Sequence, residues 1–319
     1  MMRCGFCGYE FREEDGIQGC INCPMSSGCK MVKCPRCNYE IPMEPRWIKK
    51  LKTYFKGVSK RMHHVIRGLF VGICLLGHTV VWGAHPLITD DTGTQGKGRF
   101  QIEVNGQYDS DRETVKGASL ESTGSQIATT LSYGMSENAD LVLSLPYQWG
   151  KVKEDGVALY DEKGISDTTF EVKWRFYEKD GLSLALKPGV RIPTGNDEKG
   201  LGAGKTGFHA FLIGSKEVAS WAFHGNVGYI MNENKADEEK NLWQASLAAT
   251  YEAVKGLKVV GNIGIERNRD KTADKDPAFL LGGVIYSLSH SFDIDFGVKY
   301  GLTAPETDWS VMAGAAFRF

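Results

Sequence analysis

Residues 308–319 read Asp308-Trp-Ser-Val-Met-Ala-Gly-Ala-Ala-Phe-Arg-Phe319. Val311, Ala313, Ala315, Phe317 and Phe319 fall on one face of an extended chain, and Met312, Gly314, Ala316 and Arg318 on the other. Successive side chains of a strand point to opposite faces, so this stretch predicts a strand with a continuous apolar side. A last strand that finishes on Phe is what an outer-membrane β-barrel presents to the barrel-assembly machinery. Phe319 is therefore the expected point of that contact.

The same alternation recurs upstream as far as Arg99. About twelve candidate strands lie near 99–109, 123–134, 139–149, 167–178, 181–192, 204–216, 219–231, 241–253, 256–268, 277–289, 291–301 and 308–319. In the third, Leu141, Leu143, Leu145, Tyr147 and Trp149 share a face. In the fourth, Phe170, Val172, Trp174 and Phe176 oppose Glu171, Lys173 and Arg175. In the eleventh, Phe292, Ile294, Phe296, Val298 and Tyr300 oppose Asp293, Asp295 and Lys299. Membrane strands need about 9–11 residues, and an even number of them closes a bacterial barrel. Closure matters because an open sheet edge in lipid leaves backbone groups unpaired. A soluble β-sandwich would need a second layer over every apolar face, and no amphipathic helices follow to supply one. The fold class expected is all-β, an antiparallel transmembrane barrel over residues 85–319.

Connections between these strands alternate in length. Short ones lie at 136–139, 179–181, 217–219, 254–256 and 289–291. Long polar ones are expected near 110–122, 150–166, 193–203, 232–240, 269–276 and 302–307. That is the pattern of tight periplasmic turns and longer external loops. Mean hydropathy is only −0.28, as alternating strands require. Acidic loop residues such as Asp197, Glu198, Asp237, Glu238, Glu239, Asp270, Asp274 and Asp276 read as solvated loops, with Ca²⁺ or Mg²⁺ bridging to lipopolysaccharide as the alternative.

The polar face of the strands predicts what lines the lumen: Glu171, Lys173, Arg175, Lys187, Arg191, His224, Asn226, Asn262, Glu266, Asp293, Asp295 and Lys299. Charges of both signs are present. They either form a polar path that orients a small solute or pair across the lumen and fill it. A twelve-strand ring lies between the side-chain-filled small barrels and the open porins.

Three stretches carry a family resemblance. They are Ala84-His-Pro-Leu-Ile-Thr-Asp-Asp-Thr-Gly-Thr-Gln-Gly-Lys-Gly98, Leu186-Lys-Pro-Gly-Val-Arg-Ile-Pro-Thr-Gly-Asn196, and Gly200-Leu-Gly-Ala-Gly-Lys-Thr-Gly207. With the strand alternation, residues 84–319 resemble the outer-membrane proteins of the MetA-pathway of phenol degradation, or "transporter", family. The resemblance implies an outer-membrane channel or uptake protein with outer-membrane lipid and lipopolysaccharide as surroundings. It brings no catalytic residues. The Gly200–Thr206 stretch is not a phosphate loop, because the first glycine of GxxxxGK[ST] would fall on Lys199.

Upstream, the chain changes character. Seven of the eight cysteines lie in the first 37 residues, and none lies between His85 and Phe319. Cys4-Gly-Phe-Cys7-Gly-Tyr-Glu-Phe11 and Cys34-Pro-Arg-Cys37-Asn-Tyr-Glu-Ile41 are near copies. Two such CxxC knuckles offer four thiolates in a tetrahedron, which suits Zn²⁺ (or Fe). Residues 1–40 thus read as a small zinc-ribbon-like module. Disulfides are the alternative. Cys20, Cys23 and Cys29 form a candidate second site or remain free thiols.

Residues 41–61 read as a linker or an amphipathic helix, because Trp47–Arg61 carries six basic side chains between apolar residues at helical spacing. Residues 62–84 hold an apolar run, Leu69–Trp82, followed by small residues. That run fits a secretory signal peptide better than a membrane-spanning helix of about 20 residues. Export signals ordinarily begin a chain. The contradiction leaves three readings open: a fusion whose head stays in the cytoplasm and is cut away, a true start at Met62, or a retained anchor.

The formal net charge of −1 gives no reason to expect a nucleic-acid partner. The function expected is an outer-membrane channel for a small-molecule solute, aromatic or hydrophobic in character. A structural or adhesion barrel is the runner-up. A lipid-modifying enzyme is third, because no serine stands out beside His209, His224 or His290.

Overall fold

The computed structural model describes residues 2–4, 7, 9–12, 15, 17–19, 31–42, 85–115 and 118–319. Residues 43–61 of the expected linker, the signal-like run and Cys20, Cys23 and Cys29 lie outside them; residues 41 and 42 belong instead to a strand of the head. The chain divides into two units, Met1–Val65 and Ile66–Phe319.

In the first unit, β1 (Met2–Arg3) pairs with β2 (Glu10–Phe11), and β3 (Ile17–Gly19), β4 (Met31–Lys33) and β5 (Glu40–Pro42) form a second antiparallel sheet. Phe11, Val32, Cys4 and Cys34 are its buried core among the described residues.

The second unit is one closed antiparallel sheet. Its strands are β6 (Phe100–Val115), β7 (Ala118–Ser136), β8 (Ala139–Glu154), β9 (Val157–Ile165), β10 (Thr168–Lys179), β11 (Leu182–Ile192), β12 (Gly207–Val218), β13 (Trp221–Met231), β14 (Asn241–Val254), β15 (Leu257–Glu266), β16 (Ala278–Ser289), β17 (Phe292–Gly301) and β18 (Trp309–Arg318). β9 pairs with the upper part of β8 and β10 with its lower part, so the 13 strands make twelve staves. The ring closes where β18 pairs with β6, from Trp309 opposite Ser110 to Arg318 opposite Gln101. Phe319 and Phe100 extend this ladder by exchanging backbone hydrogen bonds of 3.0 and 2.8 Å. No described helix is long and apolar enough to cross a membrane; the crossing is made by strands.

Side chains sort as the pleat demands. Val104, Ile127, Leu145, Leu186, Leu212, Val227, Leu247, Ile263 and Leu280 stand exposed on the outside. Aromatics ring this band at two levels. Phe100, Tyr133, Trp174, Trp221, Phe317 and Phe319 lie toward the tight turns; Tyr108, Trp149, Tyr229, Trp243, Tyr300 and Trp309 lie toward the loops. Apolar surface of this extent and two aromatic girdles are the exterior of a barrel seated in a bilayer. Four β-bulges fall next to the tight turns, at Gly134/Ser136, Arg175/Tyr177, Glu252/Val254 and Ser287/Ser289, where barrel rims commonly place them.

Two of the expected long loops are instead paired strands. Residues 110–122 are the end of the β6–β7 hairpin, in register up to Val115 opposite Ala118. Most of 150–166 belongs to β8 and β9, ending with Glu154 opposite Val157. These ends carry Arg112, Glu113, Glu121, Lys151, Asp161 and Lys163. Beyond the bilayer both faces of a strand meet water, so the apolar alternation that betrays a strand disappears while its ladder persists. The connections after β11, β13, β15 and β17 remain loops, the first holding a 3-10 turn at Asp197–Lys199.

Candidate functional site

The lumen is occupied by the chain itself. Residues 85–95 precede β6 and run inside the ring, where His85, Leu87, Ile88, Thr89, Asp90 and Thr92 are buried. Nothing in these residues pairs as a strand. Their polar groups are met instead by side chains of the wall, as buried backbone requires. The Asn262 side chain accepts from the amides of Ile88 and Thr89 at 2.8 and 3.0 Å and donates to Thr89 Oγ1 at 2.7 Å. Thr89 Oγ1 donates to Ser246 at 2.8 Å, and the Thr92 amide donates to Ser215 at 3.1 Å. With its amide oriented to suit the network, Asn226 brackets the Asp90 peptide, donating to its carbonyl at 2.9 Å and accepting from its N–H at 2.6 Å. The Gln95 amide donates to both carboxylate oxygens of Asp140, at 3.2 and 3.0 Å.

Asp90 is the electrostatic centre of this seat. Lys173 donates to one of its oxygens at 2.9 Å and Lys187 to the other at 3.0 Å. Lys187 also lies 3.1 Å from Glu171, whose other oxygen is 2.8 Å from His209 Nε2. Lys187, Glu171 and Asp90 are each only 1 % exposed. Three such charges away from water are tolerable only because each meets an opposite charge or a hydrogen-bonding partner.

The other side of the segment is apolar. Leu87 and Ile88 pack in one cluster with Ala248, Val260, Phe279, Leu281, Ile285 and Met312 from β14, β15, β16 and β18. Pro86 fits against two glycines. A Cβ on Gly297 would lie 2.7 Å from it, and one on Gly283 2.9 Å. His85 bonds to Asp295. A second lumenal cluster, Ala185, Phe211 and Ile213 with Ile230, stands apart from the segment's apolar face.

Of the residues expected in the lumen, Glu171, Lys173, Lys187, Asn226, Asn262 and Asp295 therefore meet the inserted segment or its immediate partners. His224 takes a hydrogen bond from, or gives one to, Ser215 at 2.9 Å, so a serine does stand beside a histidine: the two are cross-strand partners in β12 and β13. Its hydroxyl is also the acceptor for Thr92. Arg175 sits at the turn end, 3.1 Å from Glu178, and Asp293 2.7 Å from Arg318. Lys299 pairs with Glu306 at 2.7 Å near the loop end, on the side where Glu266 ends β15. Arg191 turns toward the outer mouth, donating to Asn232 and to the Glu233 carbonyl at 2.9 and 2.8 Å and lying 3.5 Å from Asp167.

At that mouth the loops are tied together. Asp167, at the break between β9 and β10, accepts from the amides of Gly195 and Ala203 at 3.0 and 2.8 Å. Tyr160 of β9 donates to the Lys199 carbonyl at 2.9 Å. Most of the acidic loop residues, Asp197, Asp237, Glu238, Glu239, Asp270 and Asp276, have protein partners. Lys271 holds the Asp237 carboxyl below the usual carboxylate range, and the amides of Asn241 and Lys240 do the same for Glu239. Lys235 lies 3.1 Å from Asp197, and Arg267 3.2 Å from Asp276.

What sequence reasoning missed is the inserted segment. Its only signal is that Lys173 and Lys187 point inward on neighbouring strands, while an acidic pair, Asp90 and Asp91, precedes the first strand.

In the head unit, Cys4, Cys7, Cys34 and Cys37 converge, with all four sulfur atoms within 4.8 Å of one another.

Comparison with known proteins agrees with this architecture. No curated protein matches the chain. Among solved structures it is similar to the COG4313 outer membrane channel from Pseudomonas putida F1, with 16 % identity and a TM-score of 0.56 over 72 % of this chain and 98 % of that one. Weaker likenesses include the translocator domain of autotransporter NalP from Neisseria meningitidis, 14 % identical with a TM-score of 0.45 over 82 % of this chain and 98 % of that one. At these identities the likeness is one of fold. The family model described as "Putative MetA-pathway of phenol degradation" matches residues 85–319, from the buried His85 through the closing strand, and the chain belongs to that family.

Proposed function

We propose that residues 85–319 form an outer-membrane channel that takes up small solutes of aromatic or hydrophobic character past a displaceable lumenal segment. The observation that carries this reading is the mixed character of the seat. One carboxylate, Asp90, holds the segment on two lysines, while Leu87 and Ile88 lie on an apolar wall of Phe279, Leu281 and Ile285. A wall that only served water and ions would be polar throughout. Here an apolar solute that reached the lumen would find surface of its own kind, and the ion pairs would keep the resting state closed. The family description, with its phenol pathway, supports the same solute class.

The surroundings of the barrel are outer-membrane lipid and lipopolysaccharide, which the aromatic girdles suit. Recognition by the barrel-assembly machinery would run through β18 and Phe319. The barrel conducts solutes and does not transform them. The cysteine module binds metal and belongs on the cytoplasmic side, left behind when the barrel is exported.

Planar-bilayer conductance and liposome uptake of a small phenol, measured on the barrel and on its Asp90→Ala variant, test the channel. Low conductance in the parent, a clear rise in the variant and phenol entry in both are expected. Neither current nor phenol entry in either protein would favour the structural or adhesion barrel.

A further inference from the structure

We propose that Cys4, Cys7, Cys34 and Cys37 enclose a single thiophilic metal ion, Zn²⁺, and that this ion is what holds the head unit folded. The inference rests on reading the head as a metal-binding module and names the ligands, the geometry and the consequence.

The two knuckles are built alike. The Cys4 amide donates to the Tyr9 carbonyl at 2.9 Å, and the Cys34 amide donates to the Tyr39 carbonyl at 3.0 Å, five residues on in each case. In the second knuckle the Asn38 amide closes the turn on the Cys34 carbonyl at 2.9 Å, with Asn38 at φ 59°. Such a turn brings both cysteines of a CxxC to one side of the backbone.

The short sulfur separations run between knuckles. Cys4 Sγ and Cys37 Sγ are 3.7 Å apart, and so are Cys7 Sγ and Cys34 Sγ. Zn–S bonds of roughly 2.3 Å in a tetrahedron require sulfur–sulfur edges of about 3.8 Å. A disulfide would need about 2.05 Å. The spacing is that of ligands around one centre. Each knuckle gives one buried sulfur residue, Cys4 or Cys34, and one half-buried, Cys7 or Cys37. An ion at the centre therefore joins the knuckles.

Four thiolates on a divalent ion leave a net negative charge, and the knuckle supplies compensation. The Arg36 amide donates to Cys34 Sγ at 3.4 Å, and the Arg36 guanidinium, lying over the Tyr9 ring at 5.8 Å, brings a positive charge from between two ligands. The rest of the described core is Phe11 and Val32. Among the described residues that core is small, and structural zinc supplies folding free energy outright.

The test uses the full chain in detergent under reducing conditions, with Zn²⁺ alone and with Co²⁺ as a spectroscopic probe. One Zn²⁺ per chain is expected, together with thiolate-to-cobalt charge transfer and the intense visible bands of a tetrahedral site. Cys4→Ser combined with Cys34→Ser should abolish both. A Cys37→His variant should keep one ion with shifted cobalt bands, which separates lost ligation from simple misfolding. A Cys20→Ser, Cys23→Ser, Cys29→Ser triple variant should bind as the parent does. If the triple variant loses the ion and the Cys4/Cys34 variant keeps it, the head is a metal module but these ligands are wrong. If the reduced parent binds no metal, both readings fall. Protease protection of the first 42 residues should appear only with metal; equal protection without it would overturn the folding role.

Discussion

Among single residues, Asp90 does most to hold the lumenal segment in place. Removing its carboxylate takes the closer ion-pair partner from Lys173, which keeps Asp91 at 3.4 Å, and one of two partners from Lys187, which keeps Glu171 at 3.1 Å. Breaking one partner out of a buried ion pair costs about 3–5 kcal/mol. Asp90→Ala should therefore loosen residues 85–95 by an amount of that order and leave the strands intact. Proteolysis of the folded barrel is the check: the variant should be clipped before β6 while the parent is not. Equal resistance would mean that Asp90 does not hold the segment. The two-residue period of β10 and β11 tells which way Lys173 and Lys187 point. It cannot tell what they meet, because Asp90 sits in a stretch with no period at all and reaches them across 83 and 97 residues of sequence.

At the scale of elements, the inserted segment and the tall hairpins show where pattern stops being informative. The segment makes its hydrogen bonds to Asn226, Ser246 and Asn262, side chains that in isolation read only as lumen polarity. Its fit also depends on absent side chains. Apart from Pro86, a Cβ at Gly297 meets nothing nearer than 3.5 Å. Gly297→Ala should thus unseat Pro86 with little harm to the β16–β17 ladder. The expected readout is raised conductance with unchanged heat-modifiable migration of the barrel. If migration changed and conductance did not, the glycine would serve the wall and not the segment. The hairpins were illegible for the opposite reason: outside the bilayer a strand has no apolar face to alternate. They predict the orientation of the molecule, tall hairpins outward and tight turns inward. A cysteine placed at Glu154, at the tip of the β8–β9 hairpin, should react with an impermeant maleimide on intact cells. One at Lys255, in the tight β14–β15 turn, should react only after the outer membrane is opened. The reverse pattern would invert the topology.

For the whole molecule, the sequence is most informative where lipid imposes a rule. Hydrocarbon allows no unpaired edge and no outward charge, so twelve staves with apolar outer faces are written into residues 99–319 almost continuously. The alternation in β17, for instance, is unbroken from Phe292 to Tyr300. What fills the ring follows no periodic rule, and only the folded chain reveals it. In the head, by contrast, the repeated CxxC knuckle marks a centre by ligand chemistry alone, with no help from periodicity.

β6 and β18 are neighbours in a closed ring surrounded by lipid. Residues 85–319 contain no cysteine, so a pair introduced at Tyr108 and Val311, which face each other across that junction, reports on closure directly. In protein reconstituted into bilayers, mild oxidation should join this pair as efficiently as a control pair at Val298 and Val311 across the β17–β18 hairpin. A control pair that links while Tyr108→Cys/Val311→Cys does not would show an open sheet, and the channel would have no wall.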